Sequence, residues 1–304
     1  VILISIFFLS FSIILLLQSW KHSLIIQERS VSEDRNTEIA ALANNYYDLQ
    51  SGNAVGLPWE KDLAFLEALA SKNTFLQMAA YRTVLPDPLP GEEYNVHLAA
   101  RLLSGTVLEA GEIFSHNKVL GPYTSQKGYR AGPTYAGTRM TTTIGGGVCK
   151  IASTLYNVAV LSNLEIIERH PHSMPVPYVP YGQDATVAYG IKDFKFKNNT
   201  PYPILIWAQG INNTLYIGFY GQVKPPKVKW HHDVIKLVER GALYRHDANL
   251  PEGCERIVVK GMDGGLVESW LTIRQEDGSY ERKKLGRYYY APINDVIDKG
   301  IGQY

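Results

Sequence analysis

The sequence predicts an α+β fold with an apolar N-terminal segment, a helical first half and a strand-rich second half. Residues 1–17 are apolar apart from three serines. Apolar residues three and four positions apart follow in the first half, which is the spacing of amphipathic helices. Alternating strand patterns, separated by Asn and Gly turns, fill the second half. Helices that precede antiparallel strands in the chain are typical of the α+β class.

The composition excludes one broad class of partner. The 304 residues include 30 Lys and Arg against 29 Asp and Glu, which leaves a formal net charge of +1. A chain without a basic excess has no electrostatic basis for binding nucleic acid, so no nucleic-acid partner is expected. The two cysteines, Cys149 and Cys254, are too few for a disulfide framework and form either one bridge or two free thiols.

The apolar segment predicts a membrane anchor at residues 1–20. Trp20 and Lys21 follow the apolar run and supply an interfacial aromatic ring and a charge. An uncleaved single-pass transmembrane helix is the favoured interpretation, and a cleaved signal peptide is the alternative. Both interpretations place the main domains on the extracytoplasmic side of the cell membrane.

A helical spacer is expected after the anchor, at residues 21–92. Residues 31–49 and 58–84 show helical patterns, and Pro58 suits the first position of the second helix. Several prolines and a glycine at 85–91 then predict a linker that ends the spacer.

A core domain that contains both helices and strands is expected at residues 93–222. The patterns predict helices at 95–103 and 150–161. The predicted strands fall within 106–117 and at 164–169, 185–189, 194–197, 204–208 and 215–220.

A small all-β domain is expected at the C-terminus, at residues 228–304, after the break at Pro225-Pro226. Glycines punctuate this segment, and Asp277-Gly278 is a strong hairpin signal. The predicted strands are at 255–260, 266–274 and 280–284.

The residues that carry chemistry begin with the run Gly145-Gly146-Gly147-Val148-Cys149. The glycines end where a helical pattern begins, so Cys149 is expected at a helix N-terminus. The positive end of the helix dipole and the unpaired N–H groups there favour the thiolate, which is the nucleophilic form. The backbone amides of the same run are expected to hold an oxyanion or a carboxylate of the substrate.

A base and an orienting carboxylate for this thiol follow in the sequence. His170 and His172 alternate around Pro171, which favours extended backbone, so both imidazoles are expected on one face near the thiol. Asp184 is the candidate carboxylate that orients an imidazole, and Asp193 is the second candidate for this role.

Further residues flank this site by helical or strand spacing: Ser153, Tyr156 and Arg169. They are expected to contact substrate, and the alternative is that they only cap and pack. No metal and no cofactor is expected, although Cys149 and the two histidines also match a metal ligand set. Two structural interpretations of Cys149 stay open. It is either a buried small apolar side chain or one half of a disulfide with Cys254.

Several segments resemble the VanW family, which is named for an accessory gene of vancomycin-resistance clusters. The resemblance rests on residues 106–117, 145–157, 168–173 and 184–187, and it covers roughly 95–221. The C-terminal segment is similar to the five-glycine adhesion-type extracellular domain, which is often joined to cell-wall modules. The two resemblances imply an extracellular setting, with cell-wall peptide or peptidoglycan as the partner.

The residues and the resemblances together favour an extracytoplasmic, membrane-anchored enzyme that acts on cell-wall peptide. Cys149 would attack an amide, His172 or His170 would act as base, and the reaction would be hydrolysis or transpeptidation. Asp184 would orient the base, and the same order of Cys, His and Asp occurs in transglutaminase-like and papain-like enzymes. The alternative is a non-catalytic peptidoglycan-binding or envelope scaffold protein associated with glycopeptide resistance.

Overall fold

The computed structural model describes residues 52–85, 88–136 and 139–301, which all fall within one compact unit that spans Tyr47–Tyr304. The predicted membrane anchor and the first predicted helix of the spacer both lie outside the described residues. Within the described ranges, no helix combines the length and the apolar content that a membrane crossing requires.

Four α-helices lie in the described part of the chain, and the last of them is the central element of the fold. Asp62 caps the first helix by accepting a hydrogen bond from the amide of Ala64 at 2.9 Å. The last helix is buried along nearly its whole length. The helices are α1 (Leu63–Lys72), α2 (Glu92–Leu103), α3 (His116–Leu120) and α4 (Cys149–Leu161).

A five-stranded sheet supports α4. In spatial order its strands are β1 (Gly52–Asn53), β2 (Leu76–Val84), β10 (Thr214–Gly221), β9 (Ile204–Ile211) and β3 (Thr106–Leu108). Every neighbouring pair is antiparallel. Helix α4 packs on β2 and β10, and α2 packs on β9. The predicted α+β class with antiparallel strands is therefore confirmed.

The prediction that residues 58–84 form helix throughout is wrong after α1. The chain instead forms β2, which pairs along its length with β10. Both faces of β2 are covered, because Met78 packs in the main core and Ala80 packs in a second cluster with Trp59. A strand buried on both faces loses the alternation that identifies a strand in sequence. Strands β1 and β2 therefore belong to the core sheet, so residues 52–84 do not form a helical spacer throughout.

Two smaller antiparallel elements complete the core. A hairpin leads directly into the glycine run before α4, and none of the predicted strands corresponds to it. The hairpin consists of β5 (Ala131–Ala136) and β6 (Arg139–Ile144). The second element is a sheet with the spatial order β4 (Ile113–Ser115), β8 (Lys195–Lys197) and β7 (Glu165–Glu168).

The predicted strand at 185–189 is wrong, apart from one isolated bridge at Ala188. The backbone amides at its start are used elsewhere. The amide of Ala185 donates to the hydroxyl of Ser153 at 2.9 Å, and the amide of Thr186 donates to a backbone carbonyl at 2.7 Å. These donors are not available to a strand ladder, so the segment packs against α4 instead.

The C-terminal residues form two three-stranded sheets, which confirms the predicted strands of this part of the chain. The first sheet has the order β11 (Lys227–Val238), β14 (Gly264–Arg274) and β15 (Tyr280–Tyr290). The second has the order β12 (Ala242–Asp247), β16 (Asp295–Gly300) and β13 (Glu255–Val259). Trp230 of β11 packs edge-on against Tyr156 of α4, with ring centroids 5.3 Å apart. The first of these C-terminal sheets thus contacts the central helix.

Candidate active site

Cys149 is the first residue of α4, as the sequence predicts. Gly145 and Gly147 adopt left-handed backbone, with φ of 80° and 99°, and turn the chain from β6 into the helix. The Cys149 sulfur lies 3.6 Å from the carbonyl oxygen of Val187. The thiol therefore lies at the positive end of the dipole of a 13-residue helix.

The thiol lines a cleft with a volume of about 460 Å³. Most of the wall is apolar, with contributions from leucine, valine, methionine and proline side chains. Besides Cys149, the polar and charged side chains that line the same cleft are Glu92, Thr134, His172, Ser173, Tyr178, Thr186 and Lys192. A largely apolar cleft with a few polar groups is typical of a site for a small ligand or a peptide segment.

His172 and Asp184 form a tight pair beside this thiol. Nδ1 of His172 lies 2.7 Å from Oδ2 of Asp184, and the backbone amide of His172 donates to the same oxygen at 2.6 Å. This contact selects the tautomer with a proton on Nδ1 and leaves Nε2 for the thiol. The imidazole also interacts with the Cys149 side chain. The structure thus brings together three of the predicted catalytic residues.

The second carboxylate oxygen of Asp184 has two further donors. Oδ1 accepts from Nη2 of Arg169 at 3.0 Å and from the hydroxyl of Tyr290 at 2.6 Å. The Arg169 guanidinium packs over the ring of Tyr288, 4.4 Å from the ring centroid. Asp184 is only 1% exposed, so these partners replace water in stabilising its charge.

The pKa values of three groups shift in directions that favour a thiolate–imidazolium pair. Burial raises the pKa of the Cys149 thiol, but hydrogen bonding and charge from His172 outweigh burial and hold this pKa below its usual range. Burial lowers the pKa of His172, but the hydrogen bonds to Asp184 and Cys149 outweigh burial and raise it to about 9. Burial raises the pKa of Asp184, but His172 and the positive charge of Arg169 lower it to about 2.

His170 does not join this group. Its Nε2 lies 2.9 Å from a carboxylate oxygen of Glu168, and 37% of its side chain is exposed. The carbonyl oxygen of His170 accepts a hydrogen bond from the amide of Thr186 at 2.7 Å. The segment around Pro171 forms no strand, so the two imidazoles do not share one face as predicted. His172 is the histidine at the thiol.

Close packing explains why glycines precede Cys149. A Cβ atom on Gly146 would overlap the backbone of Gly132 in β5. A Cβ atom on Gly147 would lie 2.8 Å from Cγ of Glu92, closer than such atoms approach in proteins. The glycine run therefore lets the hairpin and α2 pack against the start of α4.

The backbone donors of this run are only partly available to a ligand. The amides of Gly145, Gly146 and Val148 donate to backbone carbonyl oxygens at 2.9, 3.1 and 3.3 Å. The prediction that they bind an oxyanion therefore does not hold for these three amides. In the described part of the chain, the amides of Gly147 and Cys149 have no such acceptor. These two amides are the donors that remain near the thiol.

Ser153, Tyr156 and Arg169, expected to contact substrate, instead support the His–Asp pair. The buried hydroxyl of Ser153 contacts the backbone of Ala185, which follows Asp184 in the chain. The ring of Tyr156 is 3% exposed and packs against the Arg169 guanidinium at 5.0 Å. None of the three belongs to the lining of the cleft.

Sequence reasoning missed three residues of the site. Glu92 lines the cleft, and burial raises its pKa against the opposing effects of the Leu89 amide and the charge of Lys150. Tyr178 is buried and interacts with the Ser153 hydroxyl, and Tyr290 binds Asp184. An acid in the first turn of a helix and isolated tyrosines carry no local signal of function. Only the fold places them here.

Both cysteines are free thiols, and Cys254 is exposed in the C-terminal domain. The alternative of a disulfide between Cys149 and Cys254 therefore does not describe this structure. Over the ranges that the structure describes, no three His, Cys, Asp or Glu side chains are grouped to hold a metal ion. The side chain that interacts with the Cys149 thiol is His172.

The fold and the site define a class of protein. It is an α+β protein in which a cysteine at the start of a buried helix interacts with a His–Asp pair. Residues 91–220 match the family model described as VanW like protein. Residues 91–220 are therefore similar to the VanW family, as the sequence resemblance implied, and Cys149, His172 and Asp184 all lie among them.

Two relatives are similar to about half of the chain. The protein YoaR of Bacillus subtilis (strain 168) is 36% identical over 144 residues, which is 47% of this chain and 48% of YoaR. The vancomycin B-type resistance protein VanW of Enterococcus faecalis (strain ATCC 700802 / V583) is 34% identical over 161 residues. That match covers 50% of this chain and 58% of the relative. The chain thus spans about half the length of these relatives.

Two solved structures are similar to a smaller part of the chain. The G5 domain of IgA1 protease is 18% identical, with a TM-score of 0.17, and the match covers 26% of this chain and 96% of that one. The G5 domain of HP0197 is 20% identical, with a TM-score of 0.15. That match covers 24% of this chain and 99% of the HP0197 domain. At these TM-scores the likeness carries no functional information.

Proposed function

We propose that this protein is a cysteine-dependent enzyme that hydrolyses or transfers amide bonds of cell-wall peptide. The observation that supports this most is the position of His172 between the Cys149 thiol and Asp184, with 2.7 Å between Nδ1 and Oδ2. A thiol, an imidazole and a carboxylate in this order activate a nucleophile and fix the tautomer of its base.

The proposed reaction begins from the thiolate–imidazolium pair. The Cys149 sulfur attacks the carbonyl carbon of the amide, and a C–S bond forms. The His172 imidazolium gives its Nε2 proton to the leaving amine as the C–N bond breaks, which leaves a thioester on Cys149. Neutral His172 then takes a proton from water, whose oxygen attacks the thioester and releases a carboxylate and the thiolate. An amine in place of water gives a new amide, which is transpeptidation.

The oxyanion formed during attack needs donors close to the sulfur. The amides of Gly147 and Cys149 are the backbone donors that remain after the turn hydrogen bonds are formed. The N-terminal end of the α4 dipole adds a positive potential at the same place. The start of α4 is therefore proposed to supply both the nucleophile and the stabilisation of its tetrahedral intermediate.

Cell-wall peptide as the substrate rests on similarity and expected location. The Enterococcus faecalis relative is named a vancomycin B-type resistance protein. The apolar segment 1–20 is expected to anchor the chain in the cell membrane, with the main domains on the extracytoplasmic side. The cleft volume of about 460 Å³ suits a short peptide segment. We therefore place the proposed reaction in the cell envelope.

The test is turnover of defined cell-wall peptides by the wild-type protein and by Cys149→Ala. Cross-linked and uncross-linked muropeptides serve as substrates, and mass spectrometry detects cleaved or exchanged products and a thioester on Cys149. We expect turnover by the wild type and a rate at least about a thousandfold lower in the variant. Removal of a nucleophile leaves only the contributions of binding and oxyanion contacts.

Cys254→Ser is the matched control, because it removes the other free thiol. We expect this variant to keep the wild-type rate. Turnover that survives in Cys149→Ala contradicts the enzyme proposal. If the wild type binds the peptides without any turnover, the non-catalytic peptidoglycan-binding alternative takes its place.

A further inference from the structure

The last residue of β15 and the residue after it contact Asp184 and the backbone next to His172. The hydroxyl of Tyr290 donates to Oδ1 of Asp184 at 2.6 Å. The amide of the next residue, Ala291, donates to the carbonyl oxygen of Ser173 at 2.8 Å. Ser173 directly follows His172 in the chain. Two consecutive residues of the C-terminal domain thus hold the two segments that carry the base and its carboxylate.

We propose that Tyr290 is a positioning residue through which the C-terminal domain holds Asp184 and His172 in the geometry that activates Cys149. This role rests on the proposed function, since it concerns the same site. Tyr290 is not among the residues that line the cleft with the thiol. It acts through the carboxylate, and Ala291 fixes the neighbouring backbone.

The Tyr290 hydroxyl makes two hydrogen bonds to the segment that carries Asp184. Besides donating to Asp184, it accepts a hydrogen bond from the amide of Gly182 at 2.8 Å, and the residue is 1% exposed. Burial, and then the charge of Asp184, raise the pKa of Tyr290 above its ordinary value, so the phenol stays neutral and continues to donate. One hydroxyl therefore binds both the carboxylate and the backbone two residues before it.

The segment that carries Asp184 also fits closely against the C-terminal sheet. Gly182 has a φ of 82°, and a Cβ atom there would overlap the hydroxyl of Ser269 in β14. Tyr290 lies outside residues 91–220, which match the family model. The site of this chain therefore includes a contribution from beyond the residues that match the family model.

The test is Tyr290→Phe, which keeps the buried ring and removes only the hydroxyl, so the variant is expected to fold. Without this donor Asp184 is held less firmly, and the His172 imidazolium loses part of its support. We expect the NMR titration midpoint of His172 to fall from its wild-type value by about one unit. We also expect the rate of Cys149 alkylation by iodoacetamide at about pH 6 to fall by up to about tenfold, because a rise of one unit in the thiol pKa lowers the thiolate fraction by at most tenfold.

Tyr181→Phe is the matched control. Tyr181 lies in the same interface, with its ring centroid 5.3 Å from that of Tyr290, but its hydroxyl donates to the carbonyl oxygen of Asp263 at 2.6 Å. We expect this variant to lose stability while the His172 midpoint and the alkylation rate stay at wild-type values.

Two results would overturn the role of Tyr290. One is a Tyr290→Phe protein with an unchanged His172 midpoint and an unchanged alkylation rate. The other is an equal shift of both quantities in Tyr181→Phe, because the effect would then come from the interface and not from the hydroxyl.

If the wild-type thiol reacts no faster than a free cysteine, the proposed function fails. The His172 titrations of the two variants still decide the role of Tyr290 in that case.

Discussion

Replacing Asp184 by asparagine is expected to lower the rate of Cys149 alkylation at about pH 6 by up to about 100-fold. The carboxylate holds the proton on Nδ1 of His172 and helps to raise its pKa to about 9. An asparagine amide has no charge to stabilise the imidazolium, so burial dominates and the thiol keeps its proton. A rise of about two units in the thiol pKa lowers the thiolate fraction by up to about a hundredfold. Reaction with iodoacetamide, followed by mass spectrometry of the Cys149 peptide, measures this rate.

Asp193→Asn is the control for this substitution. Asp193 is also buried, and it accepts hydrogen bonds from the amide of Asn117 at 2.9 Å and from the hydroxyl of Ser115 at 2.6 Å. We expect its replacement to leave the alkylation rate near that of the wild type. An Asp184→Asn protein that reacts as fast as the wild type would show that the carboxylate does not sustain the thiolate.

Replacing Arg169 by methionine is expected to lower the free energy of unfolding by about 3–5 kcal/mol. The side chains of Arg169 and Asp184 are 6% and 1% exposed, with 3.0 Å between Nη2 and Oδ1. Methionine keeps apolar contact with the neighbouring tyrosine rings but leaves the buried carboxylate without its cation. Urea unfolding followed by tryptophan fluorescence measures the change.

The control for Arg169→Met is Arg245→Met, from the pair with Asp298. Arg245 is 56% exposed, so this pair is worth less than about 1 kcal/mol. Similar losses of stability in the two variants would contradict the assignment of a buried, tightly bonded ion pair at Asp184.

The same carboxylate makes stability depend on pH. The folded-state pKa of Asp184 is about 2, below its ordinary value of 3.8. Its stabilising contribution is therefore present above pH 3.8 and is lost as the pH falls toward 2; a difference of nearly two units corresponds to about 2 kcal/mol. In Arg169→Met the pKa of Asp184 is higher, so we expect the loss to begin at higher pH. Urea unfolding of the wild type and of Arg169→Met from about pH 5 to about pH 2 shows which of the two loses stability at the higher pH.

Local sequence signals located the candidate nucleophile, Cys149, but did not single out His172 as its partner. The glycine run and the helical pattern after it predicted that Cys149 begins a helix, because both signals are local. His170 and His172 could not be separated, since alternation around Pro171 gives both the same predicted face. The choice depends on Asp184, whose Oδ2 atom accepts from both the backbone and the ring of His172.

Contacts between distant parts of the chain were beyond prediction from local patterns. Strand β2 is buried on both faces and was interpreted as helix, because its pattern has no strand alternation. Tyr290 contacts Asp184 across 106 residues of sequence, and nothing near Tyr290 marks it as part of a site. Ser153 and Tyr156 of α4, and Arg169 just after β7, were expected to contact substrate but support the His–Asp pair for the same reason.

The claim that His172 and Asp184 keep the Cys149 thiol as a thiolate is tested most directly by the pKa of that thiol. Ultraviolet absorbance of the thiolate is followed across a pH titration in the Cys254→Ser protein, so that only one cysteine titrates. We expect a midpoint well below the value of about 8.5 that is usual for a free cysteine, and a rise above that value when His172 is replaced by alanine. A midpoint at or above about 8.5, or a thiol that titrates only after unfolding, would contradict the claim, because burial alone would then control the group.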